Sequence, residues 1–240
     1  MIPTVKLVYD FKRKFNSINS SKTVEIDLVD IIGFLNEAYQ IVYENRIFVS
    51  ETNEKVRNDL KPFEEKNKKL ELVRKDTDIY FAEYPDSLYK RLNQIGFCKK
   101  DCCSKVKKII PRIVQSDDLY EALQNPYRNP DFFFEQLIMD EAKDGLYIYT
   151  NGFLLEKIVI DYYRKPNELH AHSLVECEGP SYYDYGGRII TADVDCEMSD
   201  TFINNSITDI AVLLAQGAKG KVTEWQTTLQ TILQTNTLFR

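Results

Sequence analysis

Two histidines, one tryptophan, three methionines and nine glycines are spread over 240 residues, and each scarcity closes off a class of chemistry. With so few imidazoles, a nucleophile–base pair built on histidine has few places to form. Nine glycines leave little for loops that cradle phosphate. The chain contains no P-loop, no G-x-S-x-G, no H-E-x-x-H and no G-x-G-x-x-G behind a strand. No apolar run approaches the ~20 residues that a membrane span requires, so no membrane association is expected. The opening MIPTVKLVYDFKRKF is charged throughout and does not read as a signal peptide. Five cysteines, an odd number, then read as reduced thiols and not as a disulfide framework.

What is present is ordinary in bulk and uneven in distribution. Hydrophobic residues at 43% and charged residues at 28% are those of a globular protein. A chain of this length buries roughly 70–75% of its unfolded surface, so it folds without staples. The net charge of −6 makes a dedicated nucleic-acid binder a poor reading, because phosphate contacts need clustered lysine and arginine. Residues 1–120 hold 22 Lys and Arg against 19 Asp and Glu, whereas residues 121–240 hold 9 against 18. Such polarity can steer one end of a subunit toward the opposite end of its neighbour. Two solvated surfaces of different composition give the same counts.

The chain is organised around residues 23–66. Leu28, Ile31, Ile32, Leu35, Ala38, Tyr39 and Val42 recur at helical spacing, which predicts a long amphipathic helix. Asp27 is its N-cap and Asp30 completes a weak capping box. A shorter helix is expected after Thr52, ending before Pro62. Upstream, residues 4–15 predict a leading helix whose face, Val5, Val8 and Phe15, is sparse. Beyond Asn67 the pattern turns to strands, with Asp76–Asp78 joining two short ones. Residues 85–93 are expected to form a helical turn. Pro111 confines VKKIIPRIV to an edge or a bulge, and Ser116 caps a short DDLYEAL helix. FFFEQLIMDEA, LYIYT and FLLEKIVIDYYRK predict a three-stranded antiparallel meander with turns at Asp144-Gly145 and Asn151-Gly152. RIITADVDCEM predicts another strand. From Ser199 a helix carries Ile203, Ile207, Ile210, Ala211 and Leu214, and a final helix carrying Trp225 follows from Val222. The expected class is α+β: N- and C-terminal helices, 1–66 and 199–240, form a helical bundle, with a central antiparallel β-rich domain over 67–198.

Several stretches carry a resemblance. FLNEAYQIVYENR followed by ETNEKVRNDLKPFEEKN is similar to the N-terminal region of the connector ring proteins of crAss-like bacteriophages. FCKKDCC, QSDDLYEALQNPYRNP, YIYTNGF with IDYYRKP, and ITDIAVLLA extend the similarity over most of the chain. The order of elements also resembles head-to-tail adaptor proteins of other tailed phages. The resemblance implies a structural virion protein of the neck or tail, assembled in the host bacterial cytoplasm. Its implied partners are copies of itself in a ring, a dodecamer in that family, together with the portal and other ring or tail proteins. Double-stranded DNA would pass through the lumen without sequence readout. No catalytic residue and no cofactor is implied.

Several residues offer other chemistry. Cys98, Cys102 and Cys103 form the tightest cluster of metal-ligand types, but zinc sites usually pair two spaced couples, and buried or reduced structural thiols are the better reading of the run. Asp193, Asp195 and Glu197 alternate, so one strand face would hold three carboxylates suited to a hard cation. A solvated face over buried Val194, Cys196 and Met198 gives the same pattern. His170 and His172 would point the same way on an extended chain, as metal ligands or as loop histidines. Tyr182, Tyr183 and Tyr185 beside Gly186-Gly187, and Trp225, are candidates for protein contacts, where aromatics are enriched. Two other functions compete: a metal-dependent hydrolase or nuclease built on the acidic triplet, and a monomeric protein–protein adaptor.

Overall fold

The computed structural model describes residues 1–18, 26–100, 105–143, 145–174, 188–198 and 201–218, together with the backbone of 182–183. The protein is a mixed α+β chain made of two compact units, residues 1–62 with 166–240, and residues 63–165. The final helix expected from Val222 lies outside the described residues.

In the first unit, α1 (Thr4–Ile18), α2 (Leu28–Val49) and α5 (Thr201–Ala218) pack on one another, with the short α3 (Glu54–Asp59) following α2. Periodicity explains α2: Ile31, Ile32, Leu35, Ala38, Tyr39, Val42, Tyr43 and Ile47 are buried. Asp27 is its N-cap, but the side chain makes no capping hydrogen bond. Asn53 caps α3, its Oδ1 accepting from the amides of Lys55 and Val56. The face of α1 is fuller than its sparse reading: Leu7, Val8, Phe11 and Phe15 are all buried, and the two phenylalanine rings stack at 5.7 Å. Helix α5 buries Ile203, Ile207, Ile210, Ala211, Val212 and Ala215.

Residues 166–174 and 188–198, which sequence pattern groups with the strands, belong to this helical unit. Asn36 on α2 grips Leu169 at both backbone atoms, accepting its amide at 2.6 Å and donating to its carbonyl at 3.2 Å. The Tyr39 hydroxyl accepts from the Glu197 amide at 3.3 Å, and Ile2 forms a bridge with Cys196. These contacts satisfy the polar backbone of a stretch that makes few ladder bonds of its own. The expected strand over 188–198 is therefore reduced to Ile189–Ile190, paired with Tyr182–Tyr183, and to single bridges at Val194 and Cys196.

The second unit is two sheets over a shared core. The first runs β1 (Glu64–Leu70), β9 (Leu154–Arg164), β4 (Leu88–Lys99) and β5 (Lys107–Ile109), all antiparallel. The second runs β2 (Leu72–Arg74), β3 (Ile79–Glu83), β8 (Gly145–Tyr149), β7 (Ile138–Ala142) and β6 (Arg112–Val114), antiparallel except for the parallel β6–β7 pair. Leu70, Cys98, Ile109, Ile158, Ile160 and Tyr162 from one sheet meet Tyr80, Ala82, Met139, Leu146 and Ile148 from the other. Helix α4 (Leu119–Gln124) covers the far side of the second sheet, where Val114, Ala122 and Ile138 form a satellite core.

Several local expectations are corrected here. The meander does not form: β7 and β8 pair, but β9 leaves for the other sheet, where β1 and β4 flank it. Asp78 directs that crossing, its Oδ1 accepting from Gly152 N at 2.9 Å and its carbonyl from Thr150 N at 2.8 Å. Gly152 sits at φ +63°, the left-handed conformation in which glycine carries no Cβ penalty. Residues 88–93 open a long strand and not a helical turn, because β9 pairs with them, across irregularities at Leu88/Lys90 and Arg91/Asn93. The DDLYEAL helix starts after Asp118 without a side-chain cap, while Ser116 Oγ donates to Asp140 at 2.8 Å. Of FFFEQLIMDEA, only Ile138–Ala142 is strand.

Candidate functional site

Residues 131–136, just before that strand, build a conspicuous exposed feature. Asp131 and Gln136 close a tight loop through reciprocal backbone hydrogen bonds of 2.9 and 2.8 Å. Asp131 Oδ1 also accepts from the amides of Phe133 and Phe134 at 2.7 and 2.9 Å, an Asx turn that orders the tip. Glu135 takes φ +57°, uncommon for a residue with a Cβ. Its carboxylate is held at 3.2 Å by Lys107, whose Nζ also donates to the Phe133 carbonyl at 3.3 Å. Lys107 lies over the Phe132 ring and Lys100 over the Phe133 ring. Phe132 is buried in the core and anchors the loop, leaving Phe133 58% and Phe134 80% exposed. Two adjacent phenylalanines in water on a braced turn form a preorganised apolar contact.

Other exposed apolar side chains come from the same part of the chain. Ile110, Ile113, Tyr120 and Tyr127 are all open to solvent. Ile113 lies on β6, which ends the second sheet and leaves one ladder edge unpaired within it. Pro111 precedes β6 and so falls between two edge strands, the confinement expected of a residue without an amide donor.

Sequence-predicted site residues are placed differently. Cys98 is fully buried on β4, and burial pushes its thiol up to about 12. Cys196 is likewise buried, its thiol raised to about 11 by desolvation. Both are protonated at neutral pH, which suits core packing and not metal ligation. Cys102 and Cys103 lie outside the described residues.

The acidic triplet is spread over three separate tasks. Asp193 Oδ1 accepts from Ser173 N at 2.8 Å, Asp195 Oδ1 from Thr4 N at 3.0 Å, and Glu197 from Asn167 N and Nδ2 at 3.4 and 3.3 Å. Asp195 thus satisfies an open amide at the start of α1, while Cys196 and Met198 fill the buried side of the run. His170 pairs with Val194 through backbone bonds, and His172 opens a 3-10 turn, so the two do not alternate along one strand. Among the described residues no three His, Cys, Asp or Glu side chains gather as metal ligands.

Tyr182 and Tyr183 are described as backbone, paired with Ile190 and Ile189; Tyr185 and Trp225 lie outside the described residues. Burial raises the Tyr39 hydroxyl far above its ordinary range, with the neighbouring Cys196 thiol and Glu197 carboxylate adding to it, so it stays a neutral hydrogen-bonding group. A shallow pocket of about 180 Å³ lined by Arg74, Thr77, Asp78, Gly152, Phe153 and Leu154 is smaller than a typical ligand cleft.

The Phe133-Phe134 turn escapes a strand-based reading. Its signal lies in Asn129-Pro130-Asp131, a turn opening, and in three consecutive phenylalanines, which cannot all face inward at a period of two. Among the described residues, no helix is long and apolar enough to cross a membrane. No protein-family model matches the chain, and no curated protein matches its sequence.

Proposed function

We propose that this chain is a structural virion protein that forms a homo-oligomeric ring in the neck or tail of a tailed phage. In this reading, helices α1, α2 and α5 form the terminal helical bundle, and the β unit carries surfaces that meet other proteins. Copies of the same chain are the first partners, with the portal and further ring proteins above and below, and genomic DNA passes without sequence readout. The resemblance along the sequence motivates the reading. The single observation that carries it is the braced Phe133-Phe134 turn, because a monomer gains nothing from holding two phenylalanines rigidly in water. Heterologous contacts of one surface on a different one close into rings when the rotation fits.

Light scattering over a concentration series tests this directly, alone and with purified portal. The wild-type mass should rise to a whole multiple of 28.0 kDa. Phe133→Ser with Phe134→Ser should hold it near the monomer, with the melting temperature unchanged. A wild type that stays monomeric under both conditions contradicts the reading. Mn²⁺-dependent phosphodiester cleavage that vanishes in Asp193→Ala would replace it with the hydrolase alternative.

A further inference from the structure

Part of the outer face of the first sheet in the β unit is basic and apolar, and the Asp161 carboxylate on that side is taken up by the Asn67 amide at 2.7 Å. Register places Lys69, Val159 and Ile95 side by side across β1, β9 and β4, and Lys157, Phe97 and Lys108 side by side across β9, β4 and β5. All six point away from the core, because their chain neighbours Leu70, Cys98, Ile109, Ile158 and Ile160 fill it. Lys157 Nζ sits 4.1 Å and Lys108 Nζ 5.7 Å from the Phe97 ring centroid, so two ammonium groups share one aromatic platform. None of these three lysines forms an ion pair among the described residues, and none of the six side chains is buried.

The opposite charge lies elsewhere in the sequence. Residues 166–198 contain seven acidic side chains and one basic one, Arg188. Within them Asp193, Asp195 and Glu197 fall at alternate positions, each carboxylate accepting a hydrogen bond from its own unit. Tyr39 holds the Glu197 amide, and Ile2 and His170 form bridges with Cys196 and Val194, so the backbone of this run is fixed.

We infer that the Lys69–Lys157–Lys108 face of one copy docks the Asp193–Glu197 run of a second copy, making the ring contact head-to-tail. The inference rests on the ring reading and names the surface through which it is built. A second copy is the favoured occupant because the lysines frame apolar side chains, Ile95, Val159 and Phe97, which a protein segment buries and a phosphate backbone does not. The chain that carries the basic face also carries its complement, as a self-assembling subunit requires.

A charge-swap pair tests this with the full chain. Lys108→Glu with Lys157→Glu sets acid against acid, and Asp193→Lys with Glu197→Lys sets base against base, so each variant alone should remain at monomer mass. An equimolar mixture restores opposite charges at every contact and should reassemble, weakening as salt is raised. Reassembly shows that both variants are folded. Wild type that assembles while both variants also assemble unchanged overturns the inference and leaves the ring reading intact. Wild type that never assembles overturns both. Variants that assemble normally but lose retention of double-stranded DNA assign the face to nucleic acid and overturn the inference.

Discussion

Asp195 shows how a residue with catalytic looks acquires a structural task. Its carboxylate accepts from Thr4 N, and Thr4 Oγ1 donates to the Val194 carbonyl at 2.6 Å, so the start of α1 is tied to a segment 190 residues away. Asp195→Ala should cost about 1 kcal/mol by urea unfolding, in the range of a lost helix cap, and Asp195→Asn should keep most of it. A cysteine count checks the buried thiols: with five in the chain, no more than three should react with a thiol reagent at neutral pH in the native protein, and all five after denaturation. The same two thiols set a pH dependence. Burial raises both folded-state values, to about 12 for Cys98 and about 11 for Cys196, so folding retains protons that the unfolded chain releases. Their contribution is complete below the ordinary thiol value of 9.0 and is lost as pH climbs through 11 and 12. Thermal melts should fall over that window, and Cys98→Val should flatten part of the slope.

Elements differ in how far their own residues announce them. Helices α2 and α5 were legible because each buries a continuous stripe, and the stripe is a property of the helix alone. The β7–β8 hairpin was legible for the same reason, through Asp144-Gly145 between apolar runs. Asn151-Gly152 looked equivalent and is not a hairpin, because Asp78, more than seventy residues earlier, captures the turn. Strict alternation from Ile158 would turn Leu154 inward, but a bulge at Phe97/Cys98 shifts the pattern along β9, so Leu155 is buried and Leu154 is exposed. Residues 166–174 and 188–198 showed no sign of their helical partners, since Asn36 and Tyr39 reach them by side-chain hydrogen bonds that leave no periodicity. The Phe133-Phe134 turn was hidden by a hydrophobic run that resembles a strand. At Gly145 an added Cβ would lie 2.4 Å from the Ala82 carbonyl oxygen, where β3 and β8 pair. Gly145→Ala should therefore destabilise the protein by about 2 kcal/mol in chemical unfolding. Phe133→Ser with Phe134→Ser should change stability by less than about 0.5 kcal/mol, as expected for exposed positions.

At the scale of the whole molecule, the β unit contributes an exposed apolar turn and a lysine-framed sheet face, and the chain from 166 to 198 contributes acid. A network of Arg91, Tyr84 and Glu141 stiffens that unit. Arg91 donates to the Tyr84 hydroxyl at 2.9 Å and to Glu141 at 3.1 Å, and Tyr84 donates to Glu141 at 2.8 Å, joining β4 of one sheet to β7 of the other. Burial and the Glu141 carboxylate raise the Tyr84 hydroxyl above its ordinary range, so it keeps its proton and stays a donor to Glu141 at neutral pH. Rigid surfaces of this kind lower the ordering cost of association. The account's central claim is that these surfaces serve contacts between proteins. Electron-microscope class averages of the full-length chain, imaged at rising concentration and with portal present, test it most directly. The account predicts closed rings with a central opening; separate particles of single-subunit size in every sample would contradict it.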